Sequence, residues 1–189
     1  MTRKEQREKR RQDILAAALD NFIKKGYSGT KIQDIAETVG MSVGLLFNYF
    51  ESKEKLYVEL IKLGKNHPKT MLESIEGDPL DYFQTSAKDI IHHVTTNPFV
   101  AKMFVLMTKV KGNEAIPESA KELLADTDSL DLSVHKIVLG QQNGSIRAGD
   151  PVSLALTFWG AIQGIAEEIA LNPDFPAPDS EWIVNILRK

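Results

Sequence analysis

Residues 30–55 read TKIQDIAETVGMSVGLLFNYFESKEK, and this stretch decides the fold. Its first ten residues place apolar side chains at i, i+3, i+4 and i+7, which predicts a short helix with one apolar face. Thr30 is predicted to cap this helix, and Gln33 stands at the spacing that completes a capping box. Gly40 then allows the sharp turn that a helix-turn-helix unit requires.

A second short helix is predicted after the turn, with Ser42 as its cap and Phe50 near its end. Leu46 and Phe50 are spaced to pack against the preceding helix. Large side chains also occupy its other sides, at Val43, Leu45, Phe47 and Tyr49. A short helix of this kind is either deeply buried or pressed against a partner. In a helix-turn-helix the partner is the major groove of DNA, which the second helix enters.

The rest of the chain is also predicted to be helical, because no stretch shows sustained alternation of apolar and polar residues. A broad apolar stripe predicts a first helix over about residues 4–25, which Gly26 can end in a left-handed conformation. Ser52 is predicted to cap a longer helix, and helical apolar patterns continue to residue 187. The fold class is therefore all-α.

Composition excludes several classes of protein. The chain has 189 residues, of which 42% are hydrophobic and 26% charged, as in an ordinary globule with a core. The absence of cysteine excludes a disulfide framework and thiolate metal ligands. The first twelve residues lack the apolar run of a secretory signal. The longest uncharged apolar stretch, residues 151–166, is shorter than the roughly 18 residues of a membrane span, so we expect a buried helix and no membrane partner.

Charge is distributed unevenly along the chain. Residues 1–65 carry 13 basic and 9 acidic side chains, a net charge of +4, whereas residues 66–189 carry 10 and 17, a net charge of −7. Six of the first eleven residues are basic. A basic end and an acidic body would orient the molecule on a polyanion, although highly soluble helical proteins also show such fluctuations.

The N-terminal region resembles the DNA-binding domain of the tetracycline-repressor (TetR) family of bacterial transcription regulators. The similarity covers residues 14–56. It comprises an alanine-rich first helix with a Lys-Gly-Tyr turn at 25–27, a helix with Ile-Ala at 35–36, and a helix that closes on Phe-Asn-Tyr-Phe at 47–50, followed by Lys53. Two residues depart from the family pattern, which often has Thr where Leu45 stands and Tyr where Phe47 stands. Both departures remove a hydroxyl, so we expect apolar contact with thymine methyls there.

The resemblance implies two domains and a function. Residues 1–65 would be a three-helix DNA-binding domain, with the helix-turn-helix at about 31–50, and residues 66–189 a helical ligand-binding and dimerisation domain. The protein would be a cytoplasmic, sequence-specific regulator of transcription, a repressor released from a palindromic operator by an unidentified ligand. Two alternatives are an enzyme on a helical scaffold and a helical adaptor without DNA affinity. The sequence contains no Gly-rich phosphate loop and no Glu-x-x-His pair, which argues against an enzyme. The retained Tyr49 and Lys53 argue against an adaptor without DNA affinity.

The DNA-contacting residues implied by the resemblance fall into two groups. Phosphate contacts would come from the helix starts at Thr30 and Ser42, the Tyr49 hydroxyl and the Lys53 ammonium. Base readout would come from Gln33, Val43, Gly44, Leu45, Phe47 and Asn48. For Leu45 and Phe47 the alternative is core packing. The segment before Arg11 would lie in an adjacent minor groove or remain a solvated tail.

Family members also form homodimers through their last two helices, and the chain has apolar stripes suited to this. The interface residues would be Phe158, Ile162, Ile165, Ile169, Trp182, Ile183 and Ile186. The alternative for this stripe is an internal core. A two-fold dimer would read half-sites about one turn of DNA apart, roughly 34–36 Å, or a multiple of that distance.

The second domain would hold an apolar or aromatic ligand, for which large, soft side chains are suited. The candidates are Phe83, Phe99, Met103, Phe104, Met107 and Trp159. Such stripes are also typical of plain core. His92 and His93 are adjacent and point to different helix faces, so we expect no metal site and no cofactor.

Overall fold

The computed structural model describes the backbone of residues 1–72, 77–125 and 128–189, and the side chains of the same residues except 66–72, 128 and 129. Within these ranges the regular secondary structure is helical, apart from one isolated bridge between Ile146 and Arg188. The predicted all-α class is confirmed. The helices span Arg3–Gly29 (α1), Ile32–Thr38 (α2), Val43–Phe47 (α3), Lys53–Leu72 (α4), Pro79–Thr96 (α5), Pro98–Val110 (α6), Glu118–Leu124 (α7), Asp128–Asn143 (α8), Pro151–Leu171 (α9) and Ser180–Val184 (α10).

The helices form two compact units that do not divide at a single point of the chain. The first unit comprises residues 1–65 together with residues 105–125. The second comprises residues 66–104 and 126–189. The boundary at residue 65 agrees with the sequence interpretation, but residues 105–125, which that interpretation gave to the second domain, belong to the first unit.

The first unit is built around the apolar face of α1. Gly26 adopts φ +70°, which only glycine reaches without strain, and so ends the regular part of α1 where the sequence predicted. Phe22, one turn earlier, is buried and meets the edge of the Tyr57 ring at 4.8 Å between centroids. Burial raises the pKa of Tyr57 to about 12.

The second unit is built around α9, which contacts α5, α8 and α10. Phe158 is fully buried there, 5.0 Å from the centroid of Phe83. α9 has 21 residues and is the one helix of the described ranges long and apolar enough to cross a membrane. The length of the uncharged stretch 151–166 therefore does not distinguish this helix from a membrane span, contrary to the sequence-based prediction. One face of α9 is nevertheless packed in the core, as in the core helices of soluble proteins that pass the same test.

Candidate nucleic-acid interface

The helix-turn-helix is formed by α2, a turn at Gly40 and α3. Gly40 adopts φ +65°, which turns the chain between the two helices. Ser42 caps α3 as predicted, because its Oγ accepts a hydrogen bond from the Leu45 N–H at 3.2 Å. Leu46 and Phe50 are 0% and 4% exposed, so they fix the orientation of α3 on the unit. The prediction that these two residues hold the helix is confirmed.

The opposite side of α3 is open to solvent. Leu45 and Phe47 are 45% and 43% exposed, so the alternative that they pack in the core is wrong. Val43 and Tyr49 are half-buried beside them. The remaining predicted readers are exposed, namely Gln33, Gly44 and Asn48. The structure thus leaves the base-reading candidates accessible. We call the exposed and half-buried residues of α3 and its end (Val43, Gly44, Leu45, Phe47, Asn48 and Tyr49), with Gln33 of α2, the reading surface.

Gly44 lies in the first turn of α3, where a side chain would meet no other protein atom. A Cβ built on Gly44 has nothing within 4 Å, and the backbone there does not have the positive φ that requires glycine. The fold itself therefore does not need glycine at this position. A requirement for glycine would come from a partner that approaches the backbone.

Thr30 does not cap α2, and this prediction is wrong. The helix begins after Lys31, whose backbone N–H donates a hydrogen bond to the Asp34 carboxylate at 3.4 Å. The residue that contacts the start of the helix is thus Asp34 and not Gln33. Thr30 is 1% exposed, and its hydroxyl donates to the carbonyls of Asn21 at 3.1 Å and Gly26 at 2.7 Å. The turn after α1 uses this side chain to satisfy backbone carbonyls, and no hydroxyl is left for a phosphate.

Asp34 instead joins α2 to the end of α1. Lys25 Nζ donates to Asp34 Oδ2 at 2.7 Å. This hydrogen bond, with the one from the Lys31 N–H, lowers the pKa of the Asp34 carboxyl below its usual value. The contact reinforces the attachment of α2 to α1.

Lys53 occupies a position that the sequence did not suggest. Its ammonium donates to the carbonyls of Tyr27 and Thr30, both at 2.9 Å, and lies 4.3 Å from the centroid of the Tyr27 ring. Two of its three donors are thus committed to the turn that follows α1. The arrangement favours a positioning role over the phosphate contact that the resemblance implies.

The basic N-terminal segment is helical, so neither an extended arm nor a solvated tail describes it. α1 begins at Arg3, with Thr2 and Glu5 forming a capping box. Arg7 lies over the Tyr49 ring at 5.8 Å, and Arg11, which is ion-paired with Glu59, lies over the Phe50 ring at 5.1 Å. These contacts join the start of α1 to the end of the reading surface.

The predicted dimer stripe faces mainly inward. Phe158, Ile162 and Ile169 are at most 4% exposed in the core of the second unit, and so is Ile183. The prediction that these four residues lie in a dimer interface is therefore wrong, and the alternative of an internal core is correct for them. Ile165 and Ile186 are half-buried, whereas Trp182 is 69% exposed, as an interface residue would be.

A different face of α9 is exposed and apolar. Val152, Leu156 and Leu171 are 45%, 56% and 77% exposed. Gly160 and Gly164 lie on the same face, and a Cβ at either would meet nothing within 4 Å. The first four of these residues are spaced by four and Leu171 follows seven residues later, and this helical spacing was the signal in the sequence that could have found this face. Trp182 of α10 is exposed as well, and we call these five residues and Trp182 together the α9 face.

The ligand candidates are divided between the two units. Phe83 and Met103 are buried, and Phe99, Phe104 and Trp159 are half-buried in the second unit. Met107 belongs to the first unit. Ser133 is a fully buried polar residue of the second unit that a ligand could contact. Its Oγ accepts a hydrogen bond from Trp159 Nε1 at 2.9 Å and lies 3.5 Å from the Tyr82 hydroxyl.

Comparison with known proteins supports the interpretation of the N-terminal region. The family described as "Bacterial regulatory proteins, tetR family" matches residues 14–60. The transcriptional regulator RutR of Escherichia coli O157:H7 is 28% identical over 161 residues, which are 84% of this chain and 74% of RutR. The repressor AcnR of Corynebacterium diphtheriae is 42% identical over 53 residues, 28% of either chain.

Solved structures share the fold over nearly the whole chain. AibR, in complex with isovaleryl coenzyme A and operator DNA, superposes with a TM-score of 0.67 at 22% identity, covering 93% of this chain and 94% of AibR. The regulator PfmR of Thermus thermophilus gives a TM-score of 0.69 at 22% identity, covering 91% of this chain and 93% of PfmR. At this identity the similarity shows the fold, with both units included.

Proposed function

Because this chain is a member of the TetR family of transcriptional regulators, a DNA-binding regulator and not an enzyme, we propose that it represses transcription from a palindromic operator. It binds there as a two-fold homodimer, and an unidentified small molecule releases it. Residues 1–65 carry the DNA contacts, and residues 66–189 carry the ligand and dimer contacts. Since its partner is operator DNA, it acts in the cytoplasm.

The exposure of Leu45 and Phe47 is the observation that carries this proposal. The two side chains lie on a helix of five residues whose other side is anchored by Leu46, which is fully buried. Covering large exposed apolar side chains with a partner removes apolar surface from water, which favours binding. In the major groove they would contact thymine methyls, which no other base presents.

The remaining contacts follow from the positions of the side chains. Ser42 and Tyr49 lie at the two ends of α3 and would contact phosphates. Gln33, Val43, Gly44 and Asn48 would contribute to base readout. Thr30 is left out of the proposed interface because its hydroxyl is buried and occupied. Lys53 is proposed to position the turn after α1 rather than to bind DNA.

Dimer formation is proposed to bury the α9 face. Leu156 and Trp182 are among the most exposed large apolar side chains of the described residues. Gly160 and Gly164 would let a second helix approach closely, because neither position has a side chain and the space above each is open. A symmetric pair of such faces would form an isologous interface. Each short reading helix would then gain specificity from the second half-site.

Ligand release is proposed to involve the second unit. AibR, which shares this fold, was solved in complex with isovaleryl coenzyme A and operator DNA, and this supports a ligand site in addition to the DNA-binding surface. In this chain the buried Ser133, with Trp159 and Tyr82, offers a polar group within apolar surroundings, suited to an apolar or aromatic ligand. Release requires that the ligand bind the DNA-free arrangement more tightly than the DNA-bound one.

Selection of operators from a random duplex pool tests the proposal. We expect the full-length protein to enrich a palindromic sequence. The variant Leu45→Ala/Phe47→Ala should lose this selectivity. The control Leu63→Ala/Leu139→Ala, which truncates two side chains of similar exposure, 37% and 38%, should enrich the same sequence as the wild type. Failure of the wild type to enrich any sequence would favour the adaptor, and equal selectivity of the two variants would exclude α3 as the reader.

A further inference from the structure

A basic groove runs along the first turns of α1 beside the reading surface. It has a volume of about 630 Å³ and is lined by Arg3, Gln6, Arg7 and Arg10 of α1, and by Leu45 and Tyr49. Since Leu45 belongs to the reading surface, the groove and the reading surface are continuous. Whatever occupies the groove therefore lies directly beside whatever α3 contacts.

The groove has a rigid wall. The capping box of Thr2 and Glu5 holds the first turn of α1, with Thr2 N–H donating to Glu5 at 2.8 Å. The stacking of Arg7 on Tyr49 and the ion pair of Arg11 with Glu59 attach the next turns to the unit. The backbone that carries these cations is thus ordered before binding, so it does not lose the entropy that a disordered arm would lose on binding.

The side chains that line this groove are mostly basic. Arg3, Arg7 and Arg10 follow i, i+4, i+7 spacing and so share one face of α1. None of the three forms an ion pair with a described residue, and Arg10 makes only a long contact of 3.5 Å to the Val39 carbonyl. Lys9 also lines the groove, and Asp13 at its far end is the one acidic residue there. The groove therefore suits a polyanion.

The geometry excludes insertion of this segment into the minor groove. An α-helix with its side chains is about 10–12 Å across, whereas the minor groove of B-DNA is about 6 Å wide. The sugar-phosphate backbone, in contrast, is an exposed ridge of anions that a concave basic surface can follow. Contacts of this kind carry no sequence information.

We propose that the basic groove grips the phosphate backbone of the duplex next to the bases read by α3. This inference rests on the proposed function, and it replaces Lys53 with the α1 arginines as the main source of phosphate contacts. Each arginine that neutralises one phosphate releases condensed counterions, so the salt dependence of binding reports how many contacts exist.

Fluorescence anisotropy of labelled duplexes from 50 to 200 mM KCl tests the proposal, with the selected operator and a scrambled duplex of equal length. In the variant Arg3→Ala/Arg7→Ala/Arg10→Ala, the slope of log K against log salt should fall by up to about 0.9 per lost contact, or about 2.7 per subunit. The fall should be equal on both duplexes. Because Ala is a better helix former than Arg, circular dichroism should show unchanged helicity.

Two control variants sharpen the result. Arg3→Lys/Arg7→Lys/Arg10→Lys keeps the charges and should keep the wild-type slope. Lys62→Ala/Lys88→Ala/Lys111→Ala removes three exposed charges elsewhere and should also keep it. A wild-type slope in the alanine variant would contradict phosphate binding by the groove while leaving the proposed function intact. A wild type that selects no operator would overturn both. Flank-dependent affinity that disappears in the alanine variant would overturn the assignment to the backbone.

Discussion

Two surfaces of this protein expose large apolar side chains, and their surroundings differ. The reading surface of the first unit exposes Leu45 and Phe47 beside a groove lined with arginines. The α9 face of the second unit exposes Leu156 and Trp182. Residues 66–189, which contain that face, carry a net charge of −7, and their acidic side chains include Glu168 on the exposed side of α9.

The exposed apolar side chains of a surface indicate that a partner binds there, and the charge beside them indicates the kind of partner. Apolar side chains rimmed by cations suit a polyanion that also offers apolar groups, as the major groove does with thymine methyls. Apolar side chains with small residues between them, on an acidic unit, suit a second protein helix and repel a nucleic acid. The reading surface and the α9 face would thus bind DNA and a second copy of the chain.

The largest effect is expected from substitutions that disrupt the dimer. Leu156→Asp/Trp182→Asp places two charges per subunit on the α9 face, and burying unpaired charges is costly. We expect a monomer in sedimentation equilibrium, with operator affinity reduced by roughly 10²–10⁴, the range that a second linked site contributes.

The matched control for this prediction is Leu63→Asp/Leu139→Asp, which charges two exposed leucines away from the α9 face. The control should remain dimeric and bind the operator. A dimeric double mutant of the α9 face would show that the subunits associate elsewhere.

A second experiment separates the two faces of α9. Phe158→Ala removes a fully buried ring and should lower the free energy of unfolding by about 3–5 kcal/mol. Leu156→Ala removes an exposed side chain and should change the stability of an isolated subunit by less than about 0.5 kcal/mol. Both would be measured by chemical denaturation in the background of Trp182→Asp, at a concentration where sedimentation equilibrium shows a monomer. Equal losses would mean that the inward and outward faces of α9 are not distinct.

The two helices also show what sequence can and cannot predict. The buried side of α3 was predictable because α2 next to it has one clear apolar face, so Leu46 and Phe50 had a defined neighbour. α9 has apolar residues on two faces, one through Phe158 and Ile162 and the other through Leu156. Helical periodicity finds both stripes and cannot rank them, since the choice depends on helices distant in sequence.

Long-range contacts likewise explain why local spacing did not predict the surroundings of Thr30 and Lys53. Both stand at motif positions whose local spacing suggests a helix cap and a free cation. In the structure both side chains satisfy carbonyls at the end of α1, Thr30 those of Asn21 and Gly26, and Lys53 those of Tyr27 and Thr30. These carbonyls need partners because Gly26 ends the regular hydrogen bonding of α1. Local spacing does not reveal that need.

Lys53→Met tests the difference between an occupied and an available cation. The variant keeps most of the apolar stem but loses two charge-assisted hydrogen bonds, so the free energy of unfolding should fall by roughly 1–3 kcal/mol. Operator affinity should decrease, while the slope of log K against log salt should stay at the wild-type value. A slope reduced by about 1 with unchanged stability would instead establish the phosphate contact that the resemblance implies.

Gly44→Ala should have smaller effects, of opposite sign on stability and on binding. The space around Gly44 is open and its backbone is helical, so alanine should raise the free energy of unfolding by about 0.5–1 kcal/mol. The added methyl would hold the DNA away from the backbone of α3, and operator affinity should decrease. Thermal unfolding and anisotropy would measure the two effects. Unchanged affinity would show that DNA does not approach the backbone at this position.

The smallest expected change in affinity comes from Leu45→Thr, which restores the residue that the family often has. Threonine keeps a methyl but adds a hydroxyl that can donate to or accept from base edges. Because Leu45 is exposed and supports no core, stability should be unchanged, and the total affinity for a pool of duplexes should change little. The preferred base opposite residue 45 should change, as operator selection from a random pool would reveal. An identical preferred operator would mean that the apolar contact at Leu45 is nonspecific and that selectivity on α3 rests on Phe47 and its neighbours.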